Sequence, residues 1–459
     1  MLLGSVASSA VEESPVPVTV MRRSHHDPPI EATTGAQRAR VPAGSRRSIA
    51  WGLGHARLVD HDMAGVEQLL VLIVAGVASL FMAWTIGAGS SGSTPFAPAV
   101  GANAISVMRA GFVVGILGFA GAVLQGANVA GTVGTGLVGG LTLTSTAATV
   151  LLLLAAGLVA IGIFTGYPIA TAFTVTGSVV GVGLGLGGEP VPSAYAEIGA
   201  LWVSVPFVGG GFAYATARVL RSERVPEQYA VPLLGAVVGI VIANVPFTLL
   251  GPGPAGASIA GATTATVGLS TLVGRIGVSL AFAATLAALL AWDLDDDVEG
   301  GQRRFLLALG GLVAFSAGGS QVGLAVGPLL AAIEGTSLPV TVPLLGLLVF
   351  GGVGLLVGSW TGAPRMIKAI SQDYSSLGPR RSIAALIPSF AIAQTAVLFG
   401  IPVSFNEIIV SAVVGSGLAA GDGGVSRRKM VVTVLGWIVS LVLALAVGYG
   451  VITIVEIAF

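Results

Sequence analysis

Three polar residues stand together in the apolar stretch Phe399–Leu418, FGIPVSFNEIIVSAVVGSGL: Ser404, Asn406 and Glu407, just after Pro402. An ionisable group in a lipid-like run is costly and marks a pathway or a site. Hydroxyls, amides and the positive end of a half-helix bind an oxyanion without any cationic side chain. A carboxyl can carry a proton, which makes Glu407 the candidate coupling group. The competing role for Glu407 is that of an acid in a first helical turn, favoured there by the helix dipole. Ser404 and Asn406 have the competing role of helix-start residues that only cap. The pattern recurs in Phe164–Gly183, FTGYPIATAFTVTGSVVGVG, where Pro168 lies 234 residues before Pro402 and Thr171 follows it. Two glycine- and serine-rich interruptions complete the set: 87–99 with Ser90, Ser91 and Thr94, and 316–328 with Ser320 and Gln321. These eight uncharged residues are the candidate substrate ligands.

Other chemistries are excluded. The chain has no cysteine, so it has no disulfide and no thiolate metal site. Its four histidines (His25, His26, His55, His61) all precede Met63. No nucleophile–base pair and no metal cluster occurs in 63–459, so neither an enzyme nor a cofactor is expected. The GLGLGG run at 183–188 has no preceding strand and no P-loop lysine. A formal net charge of zero argues against nucleic acid as a partner.

The elements that hold these residues are set by lipid. Only 9% of the 459 residues are charged and 54% are hydrophobic, with mean hydropathy +0.93. Soluble domains carry about 25% charged residues, so an integral membrane protein is expected, lying in the cell membrane with the bilayer as its partner. A helical span needs roughly 20 apolar residues. Such runs lie at 67–86, 105–127, 139–163, 196–217, 229–250, 275–292, 305–317 continuing into 325–333, 338–362, 382–398 and 430–457. The pieces 166–188 and 400–421 are broken by proline and glycine. Non-helical backbone at membrane depth survives only where protein or a water-filled cavity surrounds it. Residues 1–62 are arginine- and proline-rich with no spanning run, which predicts a disordered extension. The apolar body opens just after Met63, which is itself a candidate start of translation.

The four interruptions fall in matching positions of two halves. Gly89–Ser90–Ser91 matches Gly319–Ser320–Gln321, and Pro98 matches Pro328, at an offset of 230 residues. Trp202 matches Trp437 at an offset of 235. Anchors in one order at near-constant offset indicate an internal duplication. Basic loops then orient the halves. Half two carries Arg365, Lys368, Arg380, Arg381 and Arg427, Arg428, Lys429, where half one is uncharged at 125–150 or acidic at Glu189 and Glu197. Half one is basic at Arg218, Arg221 and Arg224. Cytoplasmic loops hold the excess Lys and Arg, so the halves run in opposite directions. This places 218–228 and 293–304 inside, and 251–274 and both termini outside. The predicted fold class is an all-α polytopic membrane protein with two inverted-topology repeats and broken, re-entrant helices. The repeats span 63–250 and 305–459, and 251–304 connects them with one span and an acidic cytoplasmic loop, DLDDDVEG at 293–300. Such a layout belongs to secondary transporters.

At this point the residues resemble a known family, the inorganic phosphate transporters (PiT). Its duplicated block G-A-N-D-V-A-N-A-F-G-T-A-V-G is similar to GSSGSTPFAPAVG at Gly89–Gly101, and the second copy to FSAGGSQVGLAVGP at 315–328. Its G-x-P-V-S-T-T-H block is similar to 166–183 and 400–417, and its linker to GSWTGAPRMIKAI at 358–370. The departures lie at the polar positions. Ser90, Ser91 and Thr94, then Ser320, Gln321 and Leu324, stand where the family has Asn, Asp and Asn. The S-T-T-H pieces become Ala170, Thr171, Ala172, Phe173 and Ser404, Phe405, Asn406, Glu407, so a carboxylate replaces a histidine. The resemblance implies a homodimeric symporter that moves inorganic phosphate by alternating access. Losing both aspartates removes carboxylates from any sodium cage, which counts against sodium, while Glu407 can carry a proton; the expected coupling ion is a proton or sodium. Sulfate or another oxyanion is the rival substrate, and a non-transporting subunit or sensor is the reading of a different class.

Overall fold

The computed structural model describes residues 45–222, 226–251, 256–268, 270–339, 341–419, 421 and 425–458, with side chains from Gly65 onward. The chain divides into two units, Met1–Asp60 and His61–Phe459. Of the extension predicted to be disordered, residues 1–44 lie outside the described residues. From Ser45 the backbone is helical, and 45–62 holds no proline to stop a helix.

Helix α1 (Ser45–Ile86) runs into a π-helical turn at Gly87–Ser91. It is followed by α2 (Ala97–Gly101), α3 (Val107–Gln125), α4 (Ala127–Thr135), α5 (Ser145–Thr165), α6 (Thr171–Gly185) and α7 (Pro192–Leu220). Between the halves lie α8 (Glu227–Asn244), α9 (Ile259–Val267) and α10 (Thr271–Asp296). The second half is α11 (Val298–Glu334), α12 (Leu344–Thr361), α13 (Ala363–Asp373), α14 (Pro379–Phe399), α15 (Phe405–Leu418) and α16 (Arg427–Ala458). Among the described residues, ten helices are long and apolar enough to cross a membrane, in the ten places hydropathy predicts. The strands are two-residue antiparallel pairs in connections. The acidic run at 293–300 is not an open loop. It forms the end of α10 and the start of α11, and Asp297 caps α11 by accepting from the Gly300 N–H at 2.9 Å.

Three of the four predicted interruptions are present. Helices α5 and α14 both end on glycines with positive φ, Gly166 at 75° and Gly400 at 65°, a conformation glycine adopts without a Cβ clash. Non-helical backbone then leads past Pro168 and Pro402 to the starts of α6 and α15. In half one the chain also breaks at 92–96. The fourth interruption, 316–328, is absent: α11 passes through it as one helix. The difference traces to Pro95, which pushes the residue before it out of the helical region. Its counterpart in half two is Ala325. The glycines of α11 remain helical where they pack directly on backbone. A Cβ on Gly318 would stand 1.8 Å from the Gly118 carbonyl oxygen.

The two halves pack by exchange. Helix α6 lies against α16 of the other half, and α15 against α7. The closest approaches match in pairs. A Cβ on Gly181 would meet the Leu445 carbonyl oxygen at 2.2 Å, and one on Gly415 would meet that of Gly210 at 2.0 Å. Near 87–99 Gly358 abuts the Trp84 carbonyl, and near 316–328 Gly121 abuts that of Phe315. Helices α11 and α14 are the most enclosed spans and α10 the most peripheral.

Candidate functional site

The exchange fixes both breaks. Trp437 on α16 donates its indole N–H to the Pro168 carbonyl at 2.7 Å, and Trp202 on α7 donates to the Pro402 carbonyl at 2.9 Å. Each half therefore holds the other half's broken segment in place. Phe173 stacks on Trp202 with ring centroids 3.9 Å apart.

The breaks bring their polar residues into one hydrogen-bonded cluster. Thr171 donates to the Gln321 side-chain oxygen at 2.8 Å and lies 3.4 Å from the Ser90 hydroxyl. Gln321 in turn donates to the Val403 carbonyl. Asn406 spans the halves: its amide nitrogen donates to the Gly89 carbonyl at 3.0 Å and to Ile169 at 2.7 Å. Ser90, Thr171, Gln321 and Asn406, four candidates from four chain segments, are thus linked. Ser320 and Glu407 adjoin Gln321 and Asn406 in sequence, and Ser404 lies two residues before Asn406. All seven are buried, none more than 1% exposed.

Four buried oxygens beside these contacts have no partner: Ser320 Oγ, Ser404 Oγ, Asn406 Oδ1 and Glu407 Oε2. Buried polar groups are normally paired, so these four oxygens, all on candidate residues, are the free acceptors and hydroxyls of the cluster. The Asn406 amide nitrogen already spends both N–H groups on carbonyls, which leaves it only an acceptor. The starts of α6 and α15 are also bare. Neither Ala170 nor Ser404 makes a side-chain capping bond, so the first-turn N–H groups remain available. The capping role weighed for Ser404 is therefore absent, and that of Asn406 is replaced by its bonds across the break.

Ser91 and Thr94 do not face the cluster through a bond of their own. Ser91 Oγ donates to the Ile86 carbonyl at 3.4 Å and Thr94 Oγ1 to that of Ser90 at 3.1 Å. They close the turn that lets half one break. Ser93 does the same, donating to Ser90 at 3.1 Å; its place in the same interruption was the signal that identified its neighbours. The carbonyls of Gly89, Ile169 and Val403 could not be found from side-chain types. Among the described residues no group of three His, Cys, Asp or Glu is placed to hold a metal ion.

Residues 86–448 match the model of the Phosphate transporter family. A protein named as a phosphate permease from Chlamydia trachomatis serovar D is 27% identical over 419 residues, which is 81% of this chain and 95% of that one. The chloroplastic inorganic phosphate transporter 2-1 of Arabidopsis thaliana is 26% identical over 404 residues, 79% of this chain and 68% of that one. Among solved structures, one titled as the sodium-dependent phosphate transporter aligns with a TM-score of 0.68 at 23% identity. The alignment covers 85% of this chain and all of that one, and it shows the same fold. With its ten apolar helices and this match over most of its length, the chain is a multi-pass membrane protein that belongs to the phosphate transporter family, a family of transporters and not of enzymes.

Proposed function

We propose that this protein is a secondary transporter that moves inorganic phosphate across the membrane by alternating access, coupled to a proton or sodium gradient. The observation that carries the reading is the buried pair of bare helix N-termini beside four unpaired oxygens. Helix N-termini supply N–H groups and positive potential to an anion. Ser404 and Ser320 add hydroxyls that donate or accept, and Thr171, Ser90 and Gln321 hold the wall. Asn406 Oδ1 can only accept, so it suits the O–H of a protonated phosphate or a cation.

Glu407 is the coupling group in this reading. Protonated, it donates to the anion; deprotonated, it repels it, so loading proton and phosphate together is favoured. With sodium instead, the same oxygens form a hard-donor set near unwound backbone, the type that holds sodium in broken-helix transporters. The reciprocal Trp–Pro bonds and the α6–α16 and α15–α7 packing support two inverted repeats that rock against each other. The family resemblance supports a homodimer.

Uptake of labelled phosphate and sulfate into proteoliposomes, first under a proton gradient and then under a sodium gradient, tests the reading. Phosphate accumulation driven by one gradient is the expected result. Uptake of sulfate alone assigns the chain to the oxyanion-permease alternative. Uptake of neither anion by correctly inserted protein leaves the subunit or sensor reading in its place.

A further inference from the structure

Away from the buried cluster, a cleft of about 1000 Å³ is formed by residues distant in sequence: 102–104 after α2, Arg221 at the end of α7, Glu227, 297–303 at the start of α11, and 378–381 at the start of α14. The arginine rule puts 218–228, 293–304 and the segment carrying Arg380 and Arg381 on the cytoplasmic side, and the fold gathers lining residues from all three here. The site residue Ser320 and the cleft residue Arg303 both lie on α11. Seventeen residues of helix separate them by roughly 25 Å, so the two places are distinct.

The charges in the cleft are unevenly matched. Arg380 pairs with Glu227, which also accepts from Gln302. Asp297 is occupied in capping α11. Arg221, Arg303 and Arg381 form no ion pair among the described residues. Among the described residues each makes a single hydrogen bond: Arg221 to the Ala419 carbonyl at 3.0 Å, Arg303 to Ala104 at 3.0 Å and Arg381 to the Ser376 hydroxyl at 3.1 Å. A guanidinium has five N–H donors, so most of theirs are unspent. Glu299 is the remaining acid of the lining. Arg221 and Arg381 also act on each other as like charges. In addition, Arg380 and Arg381 occupy the first turn of α14, where the helix dipole disfavours cations and Gly378 provides no cap. Three unspent arginines beside an uncapped helix start form an arrangement that one multivalent anion would relieve.

We propose that this cleft, through Arg221, Arg303, Arg381 and the first turn of α14, binds inorganic phosphate as a second site at the cytoplasmic end of the transport path. The planar fork of arginine matches a tetrahedral oxyanion with paired N–H groups. The floor of the cleft, Ala102–Ala104, follows directly on the α2 segment that leads from Ser90 and Thr94. The cleft and the buried cluster are thus joined by one short stretch of chain. The identity of the anion rests on the phosphate-transport reading; the unmatched arginines do not.

The full chain in nanodiscs of zwitterionic phosphatidylcholine is treated with phenylglyoxal, an arginine reagent, and modification is followed at each arginine by mass spectrometry. Millimolar phosphate is expected to slow modification of Arg221, Arg303 and Arg381 severalfold relative to gluconate at equal ionic strength. Arg304, paired with Asp293 at 2.8 Å and outside the cleft, is expected to react at one rate in both. Equal rates at the three arginines overturn the proposal. So does protection that requires phosphatidylglycerol in the disc and is absent with free phosphate, because the occupant is then a lipid headgroup. Ser404→Ala, altered in the buried cluster where no capping bond is lost, is expected to retain the protection; its loss there also overturns an independent cleft site. Failed uptake with protection intact sinks the reading of the buried cluster and leaves the cleft standing.

Discussion

Asn406 joins the two halves at the level of single atoms. Its truncation to alanine removes the partner of the buried Gly89 carbonyl and of the partly buried Ile169 carbonyl, at a cost of about 1–3 kcal/mol for a buried group left unsatisfied. We expect Asn406→Ala to lower the thermal unfolding temperature in detergent and to abolish uptake. Ser404 behaves differently because its hydroxyl makes no capping bond. Loss of a working N-cap costs about 0.5–2 kcal/mol. Ser404→Ala is instead expected to leave the unfolding temperature near the wild-type value while weakening phosphate uptake. A large loss of stability with normal uptake would return Ser404 to a structural role. For Glu407, substitution by Gln keeps the shape and removes the exchangeable proton. Proton-driven uptake is expected to disappear in Glu407→Gln, and unchanged proton-driven uptake would show that coupling resides elsewhere.

Paired helices raise the question at the next scale, because their fit depends on missing side chains. Gly181 of α6 and Gly415 of α15 each stand against a carbonyl of the opposite half. Overpacking a close contact costs typically about 1–3 kcal/mol. Gly181→Ala and Gly415→Ala are therefore both expected to destabilise the protein, and by similar amounts, because the two contacts are equivalent. Gly157→Ala, on a face with nothing within 4 Å of a new Cβ, is the control and should be neutral or slightly stabilising. Differential scanning fluorimetry of the three variants reads the result; a neutral Gly181→Ala would show that the helices have room to separate. The tryptophans make the same argument for the breaks. Trp437 is 4% exposed, so Trp437→Phe leaves the Pro168 carbonyl with little access to water and is expected to harm stability more than Trp202→Phe.

The orientation of the halves is a property of the whole molecule. The chain contains no native cysteine, so single introduced cysteines report the side of the membrane without background. Glu189 lies after α6, and Ser426 lies after α15 at the equivalent turn. If the repeats are inverted, Glu189→Cys reacts with an impermeant maleimide from outside the cell and Ser426→Cys only from inside. Reaction of both from one face would sink the inverted arrangement. Glu299→Cys, on the rim of the arginine cleft, is expected to label from the same side as Ser426→Cys.

Much of this was legible in the chain. Lipid demands long apolar helices, so hydropathy alone placed all ten spans. Breaks at membrane depth need glycine or proline, so Pro168, Pro402 and their flanking glycines showed where the helices stop. Repetition of those anchors is the ground for expecting a duplication. The tertiary structure decided what such local signals cannot express. Whether 92–96 and 316–328 both break depended on Pro95 against Ala325, and on backbone packing that keeps the α11 glycines helical. Whether the Ser404 hydroxyl caps α15 depended on the folded backbone, which leaves it without a capping bond. Asn406 finds its acceptor Gly89 across 317 residues of chain, and the three unspent arginines come from the end of α7 and the starts of α11 and α14. Helix, span and break are fixed by neighbours within a few turns. The buried cluster and the arginine cleft are fixed by residues hundreds of positions apart, which only the folded chain brings together.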